Sequence, residues 1–284
     1  MSGETFDTAT WLRRIGYSGP LAPTLTVLRA IVAAHSATIP FENVDVLLGR
    51  VPRLDLASLQ AKLVGGGRGG YCFELNALLR AGLLSLGFSV TGLIARVIRG
   101  QDAEASGPAT HMTLRVDLPE GPFLADVGYG NQTPTAPLAL RAGIEQETPH
   151  EVMRLAAVGQ ELTLQAKLED GWLNIYRVSL HAPLDIDYDV GNWFAATHPA
   201  SPFVSNMIVA RPGPDGVRNT LFNGRLTIRR PPGGVARTML DDPGAMAATL
   251  KETFGLTLPE ADLTAALETL DRKGTRGAAH PSFA

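Results

Sequence analysis

Apolar residues recur at helical spacing through residues 1–88 and again near the end of the chain. A period of about 3.6 residues is typical of helices that bury one face. The pattern predicts four early helices and two late ones. The first carries Trp11, Leu12 and Ile15 and is capped by Asp7 or Thr8. The other early helices are predicted from Pro23 onward, over 55–64 and from Phe73 to Leu86, and the late ones at 242–254 and 259–271.

From Ser89 the apolar positions instead alternate with a period of two, which is typical of strands. The predicted strands are 89–99, 111–118, 123–128, 151–156, 161–168, 172–180, 204–210 and 225–230. Such a series of short strands predicts a small antiparallel sheet or barrel. The Pro- and Asp-rich stretch 181–202 is predicted to connect elements without forming one. The chain is therefore predicted to be α+β in three parts, with boundaries 1–88, 89–202 and 203–284.

Composition and charge are those of an ordinary globular chain. Of the 284 residues, 45% are hydrophobic and 19% charged, and the formal net charge of -3 argues against a nucleic-acid partner. No apolar run approaches the ~20 residues that a membrane helix needs. The N-terminal sequence MSGETFDTATW is polar and resembles neither a secretory signal nor a transit peptide. We therefore expect a cytoplasmic protein with no nucleic-acid or membrane partner.

The chain has one cysteine, Cys72, which excludes an intramolecular disulfide and any zinc site built on a cysteine pair. Five glycines stand just before it in GGGRGGY (65–71), and an apolar-periodic helix follows it. A helix N-terminus favours the thiolate form of a cysteine, because unpaired N–H groups and the positive end of the helix dipole meet there. A lone cysteine is otherwise a small buried hydrophobe, but such a residue does not need five glycines upstream. Cys72 is therefore predicted to be a nucleophile.

A thiol nucleophile needs a base, and the base needs a carboxylate that orients it. In HMTLRVDL (111–118) apolar and polar residues alternate strictly, with His111 on the polar side. Residues 123–127 alternate in the same way, with Asp126 opposite the apolar positions, and Pro119–Gly121 predicts a turn between the two segments.

The register of this predicted hairpin follows from burial alone. Both apolar sets lie on one face of the sheet if, for example, residue 117 pairs with residue 122. His111 and Asp126 then share the other face as diagonal neighbours within reach of each other. Two alternatives remain at this point: a polar hairpin face that is simply wet, and a weaker three-ligand metal site of Cys72, His111 and Asp126.

Several stretches of the chain resemble the arylamine N-acetyltransferase family. They are IPFENVDVLLGR (39–50), RGGYCFELN (68–76), THMTLRVDL (110–118), LADVGYGNQTPTAPL (124–138) and, more weakly, SPFVSNMIVA (201–210) and NGRLTIRR (223–230). The resemblance implies a helical bundle, a central antiparallel β-barrel and a C-terminal α/β lid around a cysteine-protease-like catalytic core. It also implies that Cys72, His111 and Asp126 form a catalytic triad.

The same resemblance suggests the remaining site residues. Phe41 and Phe203 would line an acceptor pocket, although core packing explains each equally well. Glu42 would pair with Arg68. For coenzyme A the candidates are Thr110, Gly128, Gly130 and Thr133, with backbone N–H groups of the 128–133 turn facing the pyrophosphate. The alternative is that these glycines only end a strand beside the triad.

The function that the resemblance implies is ping-pong transfer of acetyl from acetyl-CoA to a small aromatic amine or hydrazine, with acetyl-CoA as co-substrate and no permanently bound cofactor. An amide synthase of the same scaffold, acting on a polyketide-type thioester, would use the same triad. A non-catalytic protein with a structural or redox cysteine is the third hypothesis. The sequence predicts neither the preferred acceptor nor the oligomeric state.

Overall fold

A computed structural model describes residues 5–231 and 233–278. The helices in these ranges are α1 (Thr8–Arg14), α2 (Leu25–Thr38), α3 (Val44–Leu47), α4 (Leu56–Leu59), α5 (Cys72–Ser85), α6 (Asp185–Thr197), α7 (Pro243–Phe254) and α8 (Glu260–Lys273). A π-helical turn, Gln60–Gly65, continues α4, and a 3₁₀ turn spans Pro202–Val204. Among the helices described, none is both long and apolar enough to span a bilayer.

The strands fall into two antiparallel sheets. They are β1 (Phe41–Glu42), β2 (Ser89–Val97), β3 (Ala109–Leu118), β4 (Gly121–Ala125), β5 (Leu138–Ala139), β6 (Met153–Val158), β7 (Glu161–Leu168), β8 (Gly171–Val178), β9 (Ile208–Pro212), β10 (Arg218–Phe222), β11 (Arg225–Arg230) and β12 (Gly234–Met239). The larger sheet has the order β5-β4-β3-β2-β8-β7-β6, and the smaller β1-β9-β10-β11-β12. The predicted α+β class is confirmed.

The seven-stranded sheet curls into a nearly closed barrel. At its open edge the chain after β5 reaches β6: the N–H of Gly143 donates to the carbonyl of Leu155 at 2.8 Å, and Gln146 and Met153 exchange two backbone hydrogen bonds. Apolar side chains such as Leu155, Leu164 and Tyr176 fill the interior. These contacts cover the two edge strands, which would otherwise expose unpaired backbone groups.

The hairpin that carries the candidate base and carboxylate has the predicted register. Asp117 pairs with Pro122 and Leu114 with Ala125, so β3 and β4 pair as burial required. The apolar side of the hairpin, including Met112, packs toward the helices. The sequence prediction of this register is confirmed.

Side-chain caps set the start of the first two helices. The Asp7 side chain accepts a hydrogen bond from the N–H of Thr10 at 2.9 Å and begins α1, as predicted. The second helix begins two residues later than predicted, at Leu25, because Thr24 rather than a residue before Pro23 supplies the cap, through the N–H of Val27.

The prediction for the stretch 181–202 is wrong, and several short strands were not predicted. The stretch 181–202 contains α6, which packs across β3. The short strands β1, β5, β10 and β12 were not predicted, and β1 is remote in sequence from β9, with which it pairs through Phe41 and Ala210. Because β1 completes a sheet of the C-terminal strands, the N-terminal and C-terminal thirds share a core; the boundaries at 88 and 202 stay a prediction.

Candidate active site

The glycine-rich segment 65–71 packs against the neighbouring strand rather than forming a loose connection. Glu42 and Gly70 are joined by a hydrogen bond of 2.9 Å from the N–H of Glu42 to the Gly70 carbonyl. A Cβ at Gly69 would lie 2.3 Å from the carbonyl oxygen of Pro40, which only glycine avoids. The glycines therefore allow a close backbone contact that sets the start of α5.

Buried ion pairs hold this segment in place. Arg68 and Glu42 form the predicted pair at 2.7 Å, and Glu42 is fully buried. Lys62 contacts Glu74 at 2.8 Å, and the other oxygen of Glu74 accepts the N–H of Tyr71 at 3.1 Å. Because Tyr71 caps α5, this carboxylate fixes the helix end that carries the thiol.

The structure brings Cys72, His111 and Asp126 together. Cys72 is the first residue of α5, His111 lies in β3, and Asp126 follows β4 directly. Nε2 of His111 is 2.7 Å from Oδ2 of Asp126, and the Cys72 sulfur lies close enough to the His111 ring to contribute to its raised pKa. Since Nε2 faces the carboxylate, Nδ1 is left for the sulfur. The sulfur also lies 3.5 Å from the carbonyl oxygen of Thr110.

The polar face of the hairpin is buried at this end. His111 and Asp126 are 2% and 0% exposed, because this face closes over the barrel interior. The rings of Tyr176 and Tyr129 flank the imidazole, with centroids 4.7 and 5.3 Å from its own. The alternative of a wet hairpin face is therefore wrong for His111 and Asp126. Within the described ranges, no cluster of three or more metal-ligating side chains has the geometry to hold an ion.

Asn76 completes the site, and the sequence reasoning did not single it out. It stands one helical turn after Cys72, on the same face of α5. Its Nδ2 donates to Oδ1 of Asp126 at 2.9 Å and to the carbonyl of Met112 at 2.7 Å, and its Oδ1 accepts the N–H of Val127. The spacing of four residues from the thiol within RGGYCFELN was the available signal.

The electrostatics favour a charged histidine. Burial by itself lowers the pKa of His111, but the Asp126 carboxylate and the neighbouring Cys72 sulfur outweigh it and raise the pKa to about 10. Burial likewise tends to raise the pKa of Asp126, yet His111, Asn76 and the N–H of Gly128 hold it below its ordinary value. At neutral pH the pair is therefore imidazolium and carboxylate, so a positive charge lies beside the Cys72 sulfur.

The thiol opens into a cavity of about 270 Å³, here called the nucleophile cavity. Its walls are largely apolar and include Phe41 and Phe203, whose ring centroids are 6.0 Å apart. Phe41 also belongs to the main core, so it both lines the cavity and packs in the core, while its acceptor role stays a prediction. Phe194, from the unpredicted α6, and Val97, at the end of β2, line it as well.

The coenzyme A candidates lie near the site, and three of them take part in hydrogen bonds within the protein. A Cβ at Gly128 would lie 2.8 Å from Cα of Cys72, so this glycine lets the strand end pass against α5. The N–H groups of Gly128, Gly130 and Thr133 donate to Asp126, to the Thr133 hydroxyl and to the Gly130 carbonyl. Each of these three donors therefore has an acceptor within the protein, and the coenzyme A roles of Thr110, Gly128, Gly130 and Thr133 stay predictions. Thr110 and Gly128 do line the nucleophile cavity.

A second cavity of about 490 Å³, here called the basic cavity, adjoins the first. The two share Arg99, Asn131 and Gln132 as lining residues. The cations of the basic cavity are Arg99, Lys167, Arg218, Arg229, Arg230 and Arg237, against the acids Glu151, Glu169 and Asp170. In the described chain, Arg230 and Arg237 have no carboxylate within ion-pair distance, so their charge is available to a ligand.

Comparisons with known proteins agree with this geometry. The sequence model of the N-acetyltransferase family matches residues 24–263. The arylamine N-acetyltransferase of Mycobacterium tuberculosis is 42% identical over 268 residues, covering 93% of this chain and 94% of that protein. The Mycobacterium marinum arylamine N-acetyltransferase structure aligns with a TM-score of 0.88 at 40% identity, over 93% of this chain and 99% of that one. The structure of the same enzyme in complex with CoA aligns with a TM-score of 0.87 at 39% identity, with the same coverage of both chains. This chain therefore belongs to the arylamine N-acetyltransferase family of acyltransferases.

Proposed function

We propose that this chain transfers an acetyl group from acetyl-CoA to an arylamine or arylhydrazine, through an acetyl-Cys72 intermediate. The observation that carries the proposal is the buried contact of Cys72, His111 and Asp126 at an apolar cavity. The relatives' name supports the amine acceptor, and the CoA complex of the Mycobacterium marinum enzyme supports the donor. Acetyl-CoA is a co-substrate in this scheme.

In the first half-reaction the Cys72 thiolate attacks the thioester carbonyl of acetyl-CoA. The backbone N–H of Cys72, which has no acceptor within the first turn of α5, is a donor for the oxyanion. The bond from the acetyl carbon to the CoA sulfur then breaks, and the His111 imidazolium gives its proton to the leaving thiolate. Acetyl-Cys72, free CoA and neutral His111 result.

In the second half-reaction the amine nitrogen attacks the acetyl-Cys72 carbonyl. Neutral His111 takes the proton that the nitrogen must lose, and the carbon–sulfur bond to Cys72 breaks. The amide leaves, and the thiolate and imidazolium are restored. Asp126 keeps the imidazole oriented and favours its charged form throughout.

The acceptor is proposed to lie among the aromatic walls of the nucleophile cavity. Phe41, Phe203 and Phe194 border it, and aromatic pairs gain from edge or offset contacts with a flat ring. An aryl group held there would direct its amine toward Cys72, whereas a strongly charged aliphatic amine would lose its hydration without a partner.

The donor is proposed to enter through the basic cavity. The pantetheine arm would pass Thr110 and Gly128 toward the sulfur, while the phosphates meet Arg230 and Arg237. Gly130 and Thr133 would contribute by shaping the turn between the cavities rather than by donating to phosphate.

The proposal is tested by intact-mass measurement after mixing the protein with acetyl-CoA alone. One acetyl group per chain is expected, located at Cys72 by peptide mapping and removed when an arylamine is added. An amide synthase would leave the chain largely unmodified by acetyl-CoA. Acetylation at any other residue, or an acetyl group that an arylamine does not remove, would contradict the ping-pong scheme.

Removing the Arg237 charge by Arg237→Ala is expected to raise the KM for acetyl-CoA about fivefold and to leave kcat unchanged. A solvent-accessible charge contact is worth about 1 kcal/mol, and it acts on binding rather than on the acyl transfer. Steady-state kinetics at several salt concentrations measures this, and the wild-type KM should rise with salt more steeply than that of the variant. Arg141→Ala, at an exposed position just after β5, is the matched control.

A further inference from the structure

The turn Gly130–Thr133 is the wall between the two cavities. Asn131 and Gln132 line both of them, so a ligand that spans the cavities passes along this turn. Within the turn, the Thr133 hydroxyl accepts the N–H of Gly130 at 2.7 Å, and the N–H of Thr133 donates to the Gly130 carbonyl at 3.2 Å. Gly130 has a φ of 93°, a left-handed conformation that suits glycine.

Anchors from outside the turn fix its position. Nη1 of Arg218 donates to the Thr133 carbonyl at 3.0 Å, the Thr220 hydroxyl donates to Oδ1 of Asn131 at 2.9 Å, and Nε of Arg99 donates to Oε1 of Gln132 at 3.0 Å. Arg218 and Thr220 belong to β10. The smaller sheet therefore fixes the shape of the 130–133 turn, which follows β4 of the barrel.

The Arg218 anchor is held by a buried carboxylate. Nε and Nη2 of Arg218 both contact Glu151, and the side chains of Arg218 and Glu151 are only 2% and 4% exposed. Arg229 contacts the same carboxylate from β11. Burying such charges costs desolvation energy, so an ion pair of this kind is a weak source of net stability. The ion pair does fix the orientation of the Arg218 guanidinium, because both Nε and Nη2 contact Glu151. This orientation directs Nη1 toward the 130–133 turn.

We propose that the Glu151–Arg218 pair is a positioning pair for the donor step, holding the 130–133 turn so that acetyl-CoA spans the two cavities with its thioester at Cys72. The inference rests on the proposed function and adds to it a residue pair that touches no reacting atom. It requires that loss of the pair slow acetylation by acetyl-CoA much more than acetylation by a small donor that occupies the nucleophile cavity alone.

The test compares two donors on the same variant. Arg218→Met removes the anchor while Glu151 keeps Arg229 as partner. With acetyl-CoA, kcat/KM for acetylation of Cys72 is expected to fall about tenfold. This is the loss expected when one charge-assisted hydrogen bond is removed. With p-nitrophenyl acetate, which has no nucleotide, the rate is expected to stay within about twofold of wild type. Arg218→Lys, which keeps the charge, should recover part of the acetyl-CoA rate.

Arg177→Met is the matched control. Arg177 likewise pairs with a glutamate, Glu161, at 2.7 Å and donates to a backbone carbonyl, that of Ala103, but it lies away from the turn. Its loss should leave the ratio of the two donor rates unchanged. If Arg218→Met fails to fold, Thr220→Val removes the Asn131 anchor without touching the ion pair, and a smaller fall of the same ratio is expected.

The outcomes separate the two proposals. Equal loss with both donors, or no loss with either, overturns the positioning role while leaving the proposed function in place. A wild-type protein that p-nitrophenyl acetate acetylates at Cys72 but acetyl-CoA does not would overturn the proposed donor itself, and the positioning role with it.

Discussion

Cys72→Ser is expected to lose acetyl transfer by a factor of about 10⁴ or more. In the proposed mechanism the Cys72 sulfur attacks as a thiolate, whereas a serine hydroxyl stays protonated at neutral pH and is a far weaker nucleophile toward a thioester. The substitution changes one buried atom at a site that is 3% exposed, so little loss of stability should accompany it. The product of a fixed arylamine, followed at saturating acetyl-CoA, measures the effect.

Two controls accompany this experiment. Cys72→Ala shows whether the serine hydroxyl contributes any residual rate, and thermal unfolding shows whether both variants keep the fold. Because the chain has a single cysteine, iodoacetamide reports on that residue alone, and prior acetylation by acetyl-CoA should protect it. A serine variant within about tenfold of the wild-type rate would place the nucleophile elsewhere.

The hairpin register shows how far burial alone predicts structure. Apolar alternation in two adjacent segments admits few registers, and the one chosen is the pairing of Asp117 with Pro122 that the structure has. The contact of His111 with Asp126 follows from it. The pattern did not indicate that the polar face is also buried, because the elements that cover it, such as β8 with Tyr176, lie far away in sequence.

The helix α6 was missed because its apolar pattern is reversed. Its buried face carries small and polar residues such as Gly191, Asn192 and Ala195, while Ile186 and Trp193 are both 60% exposed. Hydrophobic periodicity assigns the inward face to the most apolar positions, so it fails where a helix packs closely through small side chains. Part of the wall of the nucleophile cavity was missed with it.

Local sequence also did not show the structural role of one candidate residue. Gly128 was chosen as a phosphate donor, but its N–H serves Asp126 and its missing side chain makes room for Cys72. In the sequence, a glycine that donates to a phosphate cannot be told from one that makes room for a neighbouring helix. Only the packing of α5 against Gly128 shows the second role. For the same reason Asn76 was visible in the sequence only as a position one helical turn after Cys72.

Asp126→Asn is expected to lower the rate of Cys72 acetylation by about 10³- to 10⁴-fold. The carboxylate is the main group that raises the pKa of His111 to about 10; without it, burial in the barrel brings that pKa down, so the imidazole is neutral at pH 7. A neutral ring does not stabilise the thiolate and has no proton for the leaving CoA. The amide also offers a donor where Oδ2 accepted, which favours the wrong tautomer.

The pH dependence gives this prediction a second readout. Because the charged form of His111 exists below its pKa, single-turnover acetylation of the wild type should decline only as the pH rises through about 10. In the variant the decline should begin at lower pH, because the Asp126 charge no longer raises the pKa of His111. Asp117→Asn, a half-exposed carboxylate of the same hairpin that pairs with Arg115, is the matched control and should leave both rate and profile unchanged. If Asp126→Asn kept near-normal activity with an unshifted profile, Asp126 would not be the group that orients and charges His111, because no other carboxylate contacts that ring in the described part of the chain.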